Sequence, residues 1–300
     1  MSGDGAVAAM GGAVVEERVE AALDLAGVRA WLVAHAVPGV DTIDPDVDGG
    51  TRHRRRVRSP EGGAVLEVVL PGSGGAVLRA SGAGAAQALA VGRRWLGLDL
   101  DPEPAAATLA ADPDLGPLVR ARPLLRVPGA PDPFEAAANV VLGQHVSVAA
   151  GRLFAGRLAT VAGVDGGPAE AGRVAGIDPD DLQGATGVTG ARAGTLVALA
   201  RAVVDGLDLG PSPDDDARAA TRAALLALPG VGPWTADLVA MRCLRDPDVF
   251  LPGDLVLRRA MGGVTAAEAG RHARAWAPHR SLAVVHLWTH HALDPAPVRT

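Results

Sequence analysis

Along this chain the spacing of apolar and polar positions changes twice, and the changes divide it into parts. Residues 1–16 are small, Gly-rich and unpatterned, and read as a disordered tail. A helix is expected from Glu17 through Ala22 and a second over residues 28–35, where Trp31 falls on the apolar side. Three short runs with β-type composition follow, at residues 54–58, 64–70 and 76–80, separated by Pro60-Glu61-Gly62-Gly63 and Pro71-Gly72-Ser73-Gly74-Gly75. They predict a small antiparallel sheet, followed by a helix over residues 85–96. Arg54, Arg55, Arg56 and Arg58 in the first run read as a solvated strand edge.

Beyond Pro128-Gly129 the pattern turns to helices with clear start signals. Asp132-Pro133-Phe134-Glu135 offers an N-cap, a proline in the first turn and an acid three residues on. Asp178-Pro179-Asp180-Asp181 opens a further helix, and Ser212-Pro213 with Asp214, Asp215 and Asp216 opens another, its acids at the positive end of the dipole. A strongly apolar helix over residues 281–292 carries His286, Trp288, His290 and His291. The adjacent histidines have no carboxylate or cysteine at ligand spacing and read as helix-end imidazoles. The pattern therefore divides the chain into a tail, a small α+β N-terminal domain over residues 17–127, and an all-α domain over residues 128–300.

Composition narrows the class. With 300 residues, 48% of them hydrophobic, the chain can bury a large core. It has no run of eighteen apolar residues, and Met1-Ser2-Gly3-Asp4 does not open a signal sequence, so a soluble cytoplasmic protein without a membrane partner is expected. The single Cys243 excludes an intramolecular disulfide and a four-cysteine iron–sulfur cluster. A net charge of −6 argues mildly against nucleic-acid binding, but the acids cluster in turns, and the field depends on placement.

The candidate chemistry lies in one stretch. Leu228-Pro229-Gly230-Val231-Gly232-Pro233-Trp234-Thr235-Ala236-Asp237 reads as a helix end, a glycine hairpin able to take positive φ, and a new helix opened by Pro233. Free N–H groups at such a turn attract an anion, so the stretch reads as a phosphate cradle. Asp254 follows 22 residues after Gly232, at the start of another helix whose dipole favours the charged carboxylate. An isolated aspartate at that place is most often only an N-cap. Following this hairpin and Phe250-Leu251-Pro252-Gly253, Asp254 reads instead as a reactive carboxylate beside bound phosphate. Trp234 and Trp288 each admit a core reading and an aromatic-wall reading.

The hairpin, Asp254 at its offset and Gly143-Gln144-His145-Val146-Ser147-Val148 together resemble the helix-hairpin-helix DNA glycosylases, alkylation-repair branch, 3-methyladenine DNA glycosylase II type. The resemblance implies an HhH-GPD glycosylase domain in which Asp254 is catalytic and Trp234, Trp288, Trp31 and Leu238 line a base pocket. Leu238 stands where the family commonly has tyrosine, and Gly253 where it commonly has aspartate. Gln144 and His145 would enter the DNA gap left by a flipped base, with histidine in place of the usual leucine wedge. Gly230, Gly232 and Thr235 would bind backbone phosphate. No cofactor is implied beyond a structural monovalent cation on the carbonyls of Leu226, Leu228 and Val231.

The implied reaction is hydrolysis of the N-glycosidic bond of alkylated bases, 3-methyladenine first and 7-methylguanine second, in double-stranded DNA bound by a monomer. Strand-cutting glycosylases form a Schiff base through an amine, usually lysine, and all 28 basic residues here are arginine; a monofunctional hydrolase is expected. Two alternatives stay open: a non-catalytic DNA-damage binding module, and a glycosylase of the same fold for oxidised or mismatched bases.

Overall fold

The structure is a computed structural model that describes residues 14–46 and 49–293. Five strands, β1 (Val15–Arg18), β2 (Asp41–Pro45), β3 (Thr51–Val57), β4 (Ala64–Leu70) and β5 (Val77–Gly82), form one antiparallel sheet in the order β1-β5-β4-β3-β2. The three inner strands are those that the sequence pattern predicts, with Glu67 opposite both Arg54 and Arg79. Helices α1 (Leu25–His35) and α2 (Ala85–Trp95) accompany the sheet, whose core contains Leu66, Leu70, Leu78 and Trp95.

Both edge strands depart from expectation. Val15 and Glu16, assigned to the tail, pair with Ala80 and Arg79, and Glu17 and Arg18 are strand rather than the start of a helix. Four residues are too short to show a period of their own; the register comes from β5 and from the Glu16–Arg79 ion pair at 2.7 Å. Residues 1–13 of the expected tail lie outside the described residues. Asp44-Pro45, which reads as an acidic turn, ends edge strand β2, a place where a proline costs no ladder bond.

The arginine run is not a solvated edge. Strand β3 lies between β2 and β4, and its arginines are paired: Arg54 with Glu67 at 3.1 Å and Arg52 with Asp46 at 3.0 Å. Arg55 is 4% exposed and sits between Asp41 and Glu135. Just past the strand, Arg58 reaches Asp132 at 2.9 Å and Glu170 at 2.7 Å. The run thus fastens the sheet to the helices that follow.

Those helices are α3 (Glu103–Leu109), α4 (Gly116–Ala121), α5 (Pro133–Leu142), α6 (Val148–Ala162), α7 (Ala171–Ala175), α8 (Pro179–Thr186), α9 (Gly190–Val204), α10 (Asp215–Leu226), α11 (Pro233–Val239), α12 (Leu255–Ala260), α13 (Ala266–His272) and α14 (Arg280–Leu293). The expected caps form: Asp132, Asp178 and Asp214 each accept a backbone N–H from the first turn behind them. Two helical cores result. One gathers Phe134, Leu142, Leu158, Leu196 and Leu225, and the other gathers Leu109, Val119, Met241, Leu257, Trp276 and Val284. Helices α3 and α4 pack with the last helices, through Leu109, Leu115 and Val119. Among the described residues no single helix is long and apolar enough to cross a membrane.

Candidate active site

The site is built where the α10–α11 hairpin meets α12 and α14. At Gly230 the backbone takes φ 78°, and a Cβ there would lie 2.0 Å from the Thr195 hydroxyl of α9, so only glycine fits. Gly232 differs from expectation: its φ is −97°, it is the N-cap of α11, and a Cβ there would meet open space. The Val231 N–H donates to the Leu228 carbonyl at 3.2 Å and closes the turn. Pro233 then opens α11 without wasting a donor.

Trp234 follows on α11, and its Nε1–H donates to Asp254 Oδ2 at 3.2 Å. From α14 the Trp288 Nε1–H approaches Asp254 Oδ1 at 3.4 Å, while the Leu257 N–H donates to the same oxygen at 2.9 Å. Asp254 is thus an N-cap and a carboxylate clamped between two indoles at once; the two readings of it do not compete. Both indoles and Leu238 pack on the second helical core, which fixes their planes. Trp31 reaches the same place from α1, its ring centre 6.3 Å from that of Trp288 at an angle of 24°. Three of the four residues expected to line a pocket, Trp31, Trp234 and Trp288, therefore gather at one partly exposed carboxylate, although they come from three helices spread over the chain.

The Gln144 turn stands beside the hairpin. Gln144 Nε2 donates to the Gly230 carbonyl at 3.1 Å and to Thr235 Oγ1 at 2.8 Å, and its own carbonyl accepts from Arg192. Thr235 is 3% exposed. Both side chains tie the turn to the hairpin, Gln144 part-buried and Thr235 buried. His145 is exposed and adopts φ 55°, a left-handed conformation unusual for a side-chain-bearing residue, at the tip of that turn.

The chain has relatives among known proteins. The AlkA N-terminal domain family matches residues 18–132. The chain is 36% identical over 301 residues to the "Probable bifunctional transcriptional activator/DNA repair enzyme AlkA" of Mycobacterium tuberculosis, an alignment that takes in 95% of this chain and 58% of that protein. It is 30% identical over 212 residues to the DNA-3-methyladenine glycosylase of Bacillus subtilis, taking in 65% of this chain and 69% of that protein. The chain belongs to the DNA-3-methyladenine glycosylase family. Among solved structures, the 3-methyladenine DNA-glycosylase from Archaeoglobus fulgidus shares the fold, with a TM-score of 0.73 over 94% of this chain and 99% of that one at 17% identity. Against the mycobacterial relative the chain spans little more than half the length.

At this candidate site of a glycosylase-family chain, two residues escape the sequence reading. His35 lies one helical turn after Trp31 and stacks on it, with ring centres 3.7 Å apart; the i,i+4 spacing is the signal that could have found it. Arg242 places its Cζ 4.3 Å from the Trp31 ring centre. It comes from a widened turn, Ala240–Leu244, that no local pattern announces, and it donates to the carbonyls of Pro128 and Gly129 at 3.1 Å each. Burial, with Arg245 nearby, pushes the Arg242 guanidinium down to about 10, so it stays charged at neutral pH. Cys243 beside it is buried, and burial pushes its thiol up to about 12, which makes it inert. His290 and His291 are part-buried at the end of α14, and among the described residues no group of three His, Cys, Asp or Glu is placed to hold a metal.

Proposed function

We propose that this chain hydrolyses the N-glycosidic bond of alkylated bases in double-stranded DNA, 3-methyladenine first and 7-methylguanine second, and leaves an abasic site. The observation that carries the reading is Asp254, held by the N–H groups of Trp234 and Trp288 beside a glycine hairpin. A base cut by such a site leaves the duplex stack, and aromatic walls replace the stacking it loses. An alkylated purine that carries positive charge gains further attraction from an indole face. As the bond to the sugar breaks, positive charge grows at C1′, and a fixed carboxylate stabilises it and orients the attacking water.

Three groups support the DNA side of this reading. The hairpin N–H groups and the N-terminus of α11 suit a backbone phosphate. His145, exposed at its tip, suits the gap left by a flipped base. The carbonyls of Leu226, Leu228 and Val231 surround one turn, and three neutral oxygens suit a hard monovalent cation rather than a transition metal. With arginine as the only basic residue besides histidine, no side-chain amine is present to form a Schiff base, and we assign hydrolysis without strand cleavage to a monomer.

The test is release of free base from methylated duplex DNA by wild type and Asp254→Asn, followed by alkali. Asparagine keeps the N-cap and removes the charge. Wild type is expected to release 3-methyladenine and to give strand breaks only after alkali; the variant is expected to bind DNA within a few-fold of wild type and to release nothing. Equal release by both would sink the role of Asp254. Lesion binding without release by either would favour the damage-binding module, for which Asp254 is only a cap.

A further inference from the structure

Trp31 is covered on both faces, and one of the covers is loose. The His35 ring centre lies 3.7 Å from the indole centre and the Arg242 Cζ lies 4.3 Å from it. Two planar groups side by side on one face need their centres roughly 5 Å or more apart to avoid overlap at ordinary contact distances. At the observed heights on a single indole they cannot reach that separation, so His35 and Arg242 occupy opposite faces.

The two covers are held very differently. Arg242 donates two hydrogen bonds to the carbonyls of Pro128 and Gly129, and its neighbours Met241 and Cys243 are buried in the two helical cores. His35 stands in the last turn of α1, exposed to solvent, and its Nδ1–H donates to the Trp31 carbonyl at 2.9 Å. A planar group that stacks on Trp31 must displace one cover, and His35 is the one free to leave.

We propose that His35 is the movable cover of the base pocket: its imidazole occupies the Trp31 face that an extruded purine takes, and it swings into solvent as the base enters. The inference rests on the glycosylase reading above. It makes His35 a competitor for the Trp31 face: every base must break the same aromatic stack before it reaches Asp254, so the cover raises the cost of entry by the worth of that stack.

The experiment compares wild type, His35→Ala, Trp31→Ala and the double variant. Single-turnover base release from methylated duplex is measured beside equilibrium dialysis with free 3-methyladenine, which needs no turnover. His35→Ala is expected to raise the release rate and the affinity for free base by about threefold to tenfold, the span expected for one aromatic stack. The gain is expected to vanish in the Trp31→Ala background, and duplex affinity should stay within twofold. An unchanged or weakened affinity in His35→Ala overturns the proposal, as does a gain that survives Trp31→Ala. No release by wild type with the dialysis gain intact would instead overturn the hydrolase reading and leave the cover standing.

Discussion

At Gly230 the Thr195 hydroxyl fills the space where a side chain would begin, and the backbone is left-handed. Gly230→Ala is therefore expected to cost about 2–4 kcal/mol of stability, read from the urea midpoint, through overpacking and backbone strain together. Gly232→Ala meets open space, so its stability loss should stay within about 1 kcal/mol, while a methyl group between the helix N-terminus and a phosphate lowers duplex affinity several-fold. Equal stability losses in the two variants would contradict this division. The sequence makes both glycines visible but cannot tell them apart, because the difference lies in Thr195, 35 residues away. Asp254 is legible because its motif is local. Arg242 is hidden because its role depends on a side chain more than two hundred residues earlier.

Among the elements, capped helices are the most legible, since Asp-Pro starts state their own boundaries; the edge strands β1 and β2 are the least, since their register belongs to their partners. Helix α14 hides a further feature. His286, 2% exposed, has no partner on either ring nitrogen, and burial pushes it down to about 4, from an ordinary value of 6.5. The unfolded chain binds a proton below about 6.5 that the folded one refuses, so this group's stabilisation is complete above that pH and is lost as pH falls toward 4. The loss is on the order of 3 kcal/mol. Denaturant titrations at pH 7 and 4.5 should show His286→Leu losing less stability on acidification than wild type. An identical acid loss in both proteins would rule His286 out as its source.

At the scale of the whole molecule three cores meet, and ion pairs lock the sheet onto the helices. Arg55 is buried with Asp41 and Glu135 around it, and burial pushes the Glu135 carboxyl up to about 7 despite that guanidinium. Arg55→Leu strands two buried acids and is expected to cost about 3–5 kcal/mol, measured by chemical denaturation, where a surface arginine would cost less than 1. A loss of that smaller size would show that the contact is not structural. The union of sheet and helices was not legible, because the arginine run reads as solvated until its acidic partners are folded beneath it.

Trp31 arises on α1, between the first two strands of the sheet in chain order. Asp254 belongs to the helical half and Trp31 to the other, so on the proposed function the site is a composite of two modules. On that reading, change in the sheet module, in its seating or in α1, retunes which adducts are admitted while Asp254 stays untouched, and lesion range and bond cleavage can diverge separately along a lineage.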